Sequence, residues 1–230
     1  MKSLTALVPV FNEENTLFES LSRLVEINCI QKIIIIDDAS TDSSTDIAND
    51  FLKKHSNIQL ITSDKNCGKG KALSMAQNLI RTSHIVIHDA DLEYYPSDLV
   101  AMFNNLENFD FVLGSRFKGT KERNNIYKRT YAANYIMSKV FSILYGVSVS
   151  DVATCYKMMP TWFFNSIEIE SKGFEIEVEL VAKYLNFHKS YTEVSINYSG
   201  RTYEEGKKIK SIDGIRYITK MFKLRYLSKS

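Results

Sequence analysis

Apolar and polar positions in the first half of the chain alternate between two periods. Residues 4–10 form a short apolar run. Residues 14–26 repeat apolar side chains at helical spacing through Leu17, Leu21, Leu24 and Val25. Residues 32–37 then carry an uninterrupted isoleucine run at 33–36. A run that is apolar on both faces fits a strand covered on both sides, whereas the 3–4 spacing fits a helix with one buried stripe. The pattern continues with a helix over 42–54 that Asp42 would cap, a strand over 58–62 and a helix over 70–81. A strand over 84–88, a helix over 97–106 opened by Ser97 and a strand over 111–114 complete it. This rhythm predicts an α/β fold, a Rossmann-like, mainly parallel sheet flanked by helices, with ligands at the carboxyl ends of the strands.

The second half changes character. A long apolar-rich helix is expected over 129–145, a short strand ending at 158–160, a Glu-rich helix over 174–185 and an alternating strand over 191–197. A basic loop at 200–208 and a basic amphipathic helix over 212–227 follow. With no repeat, linker or low-complexity stretch, residues 1–230 are expected to form one domain in two halves, 1–115 and 116–230. No stretch approaches the ~18 uninterrupted apolar residues of a spanning helix.

Composition refines this picture in two places. Cys29, Cys67 and Cys155 lack metal-ligand spacing, which suggests reduced thiols in a cytoplasmic compartment and no zinc site. The net charge of +2 hides a basic tail: from Arg201 onward nine Lys and Arg face three acids, nine minus three leaving +6. Such a tail wants an anion, and interleaved with Ile215, Ile218, Met221, Phe222 and Tyr226 it suits a membrane surface. Ordinary packing of that helix against the core would produce the same pattern equally well.

Candidate chemistry sits where apolar runs end. The fourth predicted strand runs into Asp89-Ala90-Asp91, with Glu93 two places on; the second ends in Asp37-Asp38; the first ends in Pro9-Val10-Phe11-Asn12-Glu13. If the fourth strand continues, Asp89 and Asp91 point to one side. Paired carboxylates there make a hard-oxygen site for Mg²⁺ or Mn²⁺ that can neutralise a diphosphate. A carboxylate with an aromatic ring nearby suits a nucleotide. Gly68-Lys69-Gly70 lacks the P-loop pattern and reads as a tight turn into a helix.

These motifs, in order with Gly114-Ser115-Arg116, Gly173-Phe174-Glu175 and the run from Gly200 to Ile209, resemble family 2 glycosyltransferases of the GT-A fold. Within them the chain is similar to the dolichyl-phosphate mannose synthase and polyprenyl-phosphate sugar transferase branch. The resemblance implies inverting transfer of a hexose from a nucleoside-diphosphate sugar, GDP-mannose or a UDP-sugar, to a polyprenyl phosphate. Pro9, Phe11, Glu13, Asp38 and Ala90 fall on nucleotide-sugar positions. Asp89, Asp91 and Glu93 fall on the metal site. Arg116 falls near the phosphates, and Arg129, Arg201, Lys207 and Lys208 fall around the acceptor phosphate. Asp91, Arg116 and Arg201 are then the expected catalytic residues. Phe11 stands where Tyr is usual, and Ser195 where Pro is usual.

The resemblance further implies a peripheral protein on the cytoplasmic membrane face, with room for a separate membrane-protein partner and no role for nucleic acid. The chemistry fits a phosphate acceptor, because a phosphate monoester is largely dianionic at pH 7 and attacks without a general base. A sugar hydroxyl, as in capsule or lipopolysaccharide synthesis, needs a carboxylate base, for which Asp151 is the candidate.

Overall fold

The isoleucines at 33–36 are buried to 1% exposure or less, and their strand lies inside a seven-stranded sheet. A computed structural model describes residues 2–125, 128–188, 190–201 and 211–227. The first half holds β1 (Leu4–Val10), α1 (Leu17–Val25), β2 (Ile30–Asp37), α2 (Ser44–Lys54), β3 (Ile58–Thr62), α3 (Lys69–Met75), β4 (His84–Ile87), α4 (Asp98–Asn105) and β5 (Phe111–Ser115). The remainder holds β6 (Arg123–Asn124), α5 (Lys128–Tyr145), β7 (Lys157–Pro160), α6 (Thr161–Ser166), α7 (Ile176–Phe187), β8 (Tyr191–Ser195), β9 (Tyr198–Ser199) and α8 (Ser211–Tyr226).

The fold is α/β, as expected. The large sheet runs β3-β2-β1-β4-β7-β5-β8, while β6 and β9 pair separately. All its pairings are parallel except those of β7, which inserts antiparallel between β4 and β5. The chain winds outward from β1 to β2 and β3, then returns to place β4 on the other side of β1. That reversal opens a crevice at the carboxyl ends of β1 and β4.

Close approaches fix where the second half joins the first. The Gly114 N–H donates to the Tyr156 carbonyl at 2.8 Å, and a Cβ at Gly114 would lie 2.8 Å from the Tyr156 Cβ. Behind the crevice His88 is buried between the Ser20 and Tyr156 hydroxyls, each 3.0 Å from a ring nitrogen. Burial lowers its pKa to about 4, so it is neutral at pH 7.

Several expected boundaries move. The fourth strand stops at Ile87, so Asp89 and Asp91 lie in the turn beyond it rather than on one strand face. The third helix ends at Met75, not 81. Tertiary contacts outweigh helix propensity there: the Gln77 amide donates to the Phe164 and Ile167 carbonyls, and the Asn78 N–H to Asn165 Oδ1. Asp42 accepts from the N–H of Ser44, the first residue of α2, and from that of Glu14, so it covers the start of that helix from one residue before the N-cap Ser43. Ser97 stands at the N-cap of α4 but makes no side-chain capping bond.

Candidate active site

Three strand ends turn sharply into the crevice, and each does so through a non-glycine residue in the left-handed region. Asn12 follows β1, Ala39 follows β2 and Leu92 follows β4, with φ of 51°, 61° and 63°. Such backbone costs on the order of 1 kcal/mol or more per residue and persists only where neighbours over-determine it. Here side-chain bonds do so: the Glu93 N–H donates to Asp91 Oδ1 at 3.0 Å, and the Ser40 N–H to Asp37 Oδ1 at 3.0 Å.

A cavity of ≈ 310 Å³ opens at this edge. Its walls gather Pro9, Phe11 and Glu13 after β1, Asp38 after β2, and Asp89, Ala90, Asp91 and Glu93 after β4. Arg116 follows β5 and Arg201 follows β9. Thus ten of the thirteen expected site residues line one cavity. Lys207, Lys208 and the Arg129 side chain lie outside the described residues.

The carboxylates are handled differently from one another. Asp37 is engaged by its own loop, through the Ser40 N–H and the Thr45 hydroxyl. Asp38 accepts from the Cys67 and Gly68 N–H groups at 2.9 and 2.7 Å, which ties the loop before α3 to β2. Asp91 is pushed up to about 8 by burial and then by the negative charges of Glu93 and Asp89, against the pull of Arg201. An acid raised in this way lacks enough positive charge nearby, which is what a divalent cation supplies, and its oxygen donors suit Mg²⁺ or Mn²⁺. Asp89 and Asp91 fit that ion. Glu93 is turned elsewhere: its carboxylate accepts from the Tyr198 hydroxyl at 2.6 Å and from the Arg201 N–H at 2.8 Å. It does not join the two aspartates as a compact trio of ligand atoms.

Lys69 is a site residue that the sequence pattern did not reveal. Its ammonium lies 2.6 and 2.8 Å from the two Asp89 oxygens and 2.6 Å from Glu177 Oε1. Burial opposes its charge, but the surrounding carboxylates outweigh that and hold its pKa well above the ordinary lysine value. The buried Lys157 ammonium takes the other Glu177 oxygen. The flanking glycines explain how Lys69 arrives there. A Cβ on Gly68 would lie 2.4 Å from the Lys172 carbonyl oxygen, and one on Gly70 2.1 Å from that of Ser171. Gly-Lys-Gly therefore lets two backbones touch while the lysine threads between two acids. Asp89, Cys155 and Glu177 form a cluster of ligand atoms within 4.8 Å of one another, and the Lys69 ammonium binds both of its carboxylates.

Arg116 is clamped by Asp151. The Asp151 carboxylate accepts from Arg116 Nε at 2.7 Å, Nη2 at 2.8 Å and the backbone N–H at 3.0 Å. The guanidinium lies 5.1 Å from the Tyr198 ring centroid. Asp151 is fully buried, with both oxygens bonded, so it is a holder of Arg116 and not the free base that a hydroxyl acceptor would require.

Acids gathered at the switch point of a mainly parallel sheet are the build of a nucleotide-handling α/β enzyme. Comparison with known proteins narrows this. The family model for glycosyl transferase family 2 matches residues 5–161, and the chain belongs to that family and is a glycosyltransferase. It is 24% identical over 213 residues to undecaprenyl-phosphate mannosyltransferase of Micrococcus luteus, covering 90% of this chain and 87% of that protein. It is 27% identical over 236 residues to human dolichyl-phosphate beta-glucosyltransferase, covering 90% and 70%. These relatives support the polyprenyl-phosphate sugar transferase branch. The structure superposes on glucosyl-3-phosphoglycerate synthase from Mycobacterium tuberculosis, solved with Mn²⁺, UDP and phosphoglyceric acid. The TM-score is 0.74 at 14% identity, over 100% of this chain and 80% of that one. At that identity the likeness establishes the GT-A fold.

Proposed function

We propose that the protein transfers a hexose, with inversion, from GDP-mannose or a UDP-sugar to a polyprenyl phosphate. Asp91 and Asp89 would hold Mg²⁺ or Mn²⁺, which neutralises charge on the diphosphate leaving group. Pro9, Phe11, Glu13 and Asp38 receive the nucleoside, and Ala90 keeps the floor beneath the sugar diphosphate narrow. Arg116, oriented by Asp151, and Arg201 face the phosphates; Arg129, Lys207 and Lys208 are assigned to the acceptor phosphate. An acceptor phosphate oxygen attacks the anomeric carbon as the bond to the diphosphate breaks, and the nucleoside diphosphate departs.

The observation that carries this reading is the Arg116–Asp151 clamp. A hydroxyl acceptor must lose a proton to a carboxylate, and the candidate Asp151 has both oxygens bonded to Arg116. An ionised phosphate needs no such base. The test is transfer of labelled hexose from GDP-mannose or UDP-glucose, with Mn²⁺, to polyprenyl phosphate or to saccharides. Product in the lipid phase supports the reading; product only on saccharides overturns it.

We infer a peripheral position on a membrane. No helix among the described residues is long and apolar enough to cross one. Helices α5 and α8 present outward apolar side chains, among them Ile136, Ile143, Ile215, Phe222 and Tyr226. The basic residues of α8 contribute less than its composition suggests. Lys220 and Lys223 pair with Glu170, Lys220 also with Glu179, and Arg225 stacks on Tyr145. The anion these cations found is largely the protein itself. Vesicle binding is therefore expected to persist on neutral lipid and at high salt; binding confined to anionic lipid at low salt would overturn the apolar mode.

A further inference from the structure

Among the described residues, three cations sit against the acids of the cavity: Lys69, Lys157 and Arg201. Lys69 is fully engaged. Arg201 is engaged incompletely: Nη1 lies 3.0 Å from Glu13 Oε2, and Nη2 lies 3.3 Å from Asp91 Oδ2 and 3.4 Å from Glu13 Oε1. Its Nε is buried with no partner among the described residues. A buried donor left unmade is costly, so this arrangement is one a ligand can improve upon. The backbone at this point is well fastened. The Arg201 N–H is held by Glu93, which also holds the Tyr198 hydroxyl, and the Ser199 N–H donates to the Glu93 carbonyl at 2.9 Å. The guanidinium thus rests on a fixed hinge with its head between Asp91 and Glu13.

We propose that Arg201 is the built-in counter-ion of the unliganded donor site, and that the divalent cation must displace it from Asp91. This rests on the metal reading above. Glu93 is the positioning residue that keeps the displaced guanidinium at the rim, within reach of the diphosphate that arrives with the ion. Metal alone then binds against competition from Arg201. Metal with nucleotide binds without that opposition, because the diphosphate offers Arg201 a new partner. Cation and nucleotide are therefore positively coupled through Arg201, and by linkage each strengthens the other by the same factor.

The experiment is Mn²⁺ binding to the full chain, read from the electron paramagnetic resonance signal of free Mn²⁺, with and without UDP or GDP. Arg201→Gln should bind Mn²⁺ about 10-fold more tightly than wild type without nucleotide, and the gain on adding nucleotide should shrink correspondingly. Arg201→Lys, whose single ammonium cannot span both acids, should fall between the two. If Arg201→Gln binds Mn²⁺ no more tightly than wild type, while wild type does bind it with nucleotide, the counter-ion role is overturned and the metal reading stands. If neither protein binds Mn²⁺ under any condition, both are overturned.

Discussion

The floor and the rim of one cavity solve the same electrostatic problem in opposite ways. On the floor, Asp89 and Glu177 are neutralised by Lys69 and Lys157, with both lysines and Glu177 nearly or fully buried. Glu177 has two partners fixed in the chain and cannot exchange either without leaving a bare ion in a low-dielectric interior, whereas Asp89 shares Lys69 with it and still lines the cavity. On the rim, Asp91 and Glu13 share one partly exposed guanidinium, and Asp91 remains pushed up to about 8. The floor is built to stay as it is; the rim is built to be completed. Ligand chemistry in an acidic cavity belongs to the carboxylate that the fold leaves under-neutralised.

This contrast can be broken by removing one member from each end. Asp91→Asn should lower transfer by about 10³-fold or more, the scale on which lost charge stabilisation at a reacting phosphate acts, while leaving the melting temperature unchanged or slightly higher. Steady-state kinetics beside a melting curve check this, and retained transfer with metal present would refute the assignment. Lys157→Met should do the reverse, costing about 3–5 kcal/mol of stability because Glu177 loses a buried partner. Denaturant titration reads it, and a loss below ~1 kcal/mol would mean that the floor is not a fixed ionic network.

A smaller effect lies behind the cavity at His88, whose folded pKa of about 4 is below the ordinary 6.5. The unfolded chain binds a proton that the folded chain refuses. The His88 contribution is therefore complete above pH 6.5, falls as pH drops towards 4 and is flat below that. At 1.36 kcal/mol per pKa unit the loss reaches about 3 kcal/mol. His88→Gln, able to keep bonds to Ser20 and Tyr156, should lose less stability than wild type over that window; parallel pH profiles would show His88 charged in the fold. The smallest effect is expected at Arg201→Gln, which removes a buried Nε left without a partner among the described residues together with its long contacts to Asp91 and Glu13 Oε1, so its unfolding free energy should stay within about 1 kcal/mol of wild type. A larger loss would make Arg201 a structural cation like Lys69.

Much of this was legible in the residue pattern. The isoleucine run and the helical stripes gave the α/β class and the acids at strand ends marked the cavity's edge, while the resemblance to family 2 glycosyltransferases implied Arg116, Arg201 and the other residues that complete the ten lining it. What escaped has a common cause. Periodicity reports which face of an element is buried, but not which distant backbone comes within van der Waals reach. Gly68 and Gly70 read as a turn, and only the approach of the 171–172 carbonyls shows why both must lack a Cβ. The resemblance alone places Glu93 at the metal site; beyond the left-handed Leu92 its carboxylate meets Tyr198 and Arg201. Asp151 stood as the base candidate for a hydroxyl acceptor because nothing in the chain places it against Arg116, 35 residues away.

The sequence by itself determined the α/β class, the strand ends that carry the acids and the family to which the chain belongs, because these follow from local apolar runs and short ordered motifs. Tertiary structure alone decided which acid each cation neutralises. That choice depends on distances between residues remote in the chain, and Coulomb energy in a buried site is governed by distance and solvent access, not by sequence order.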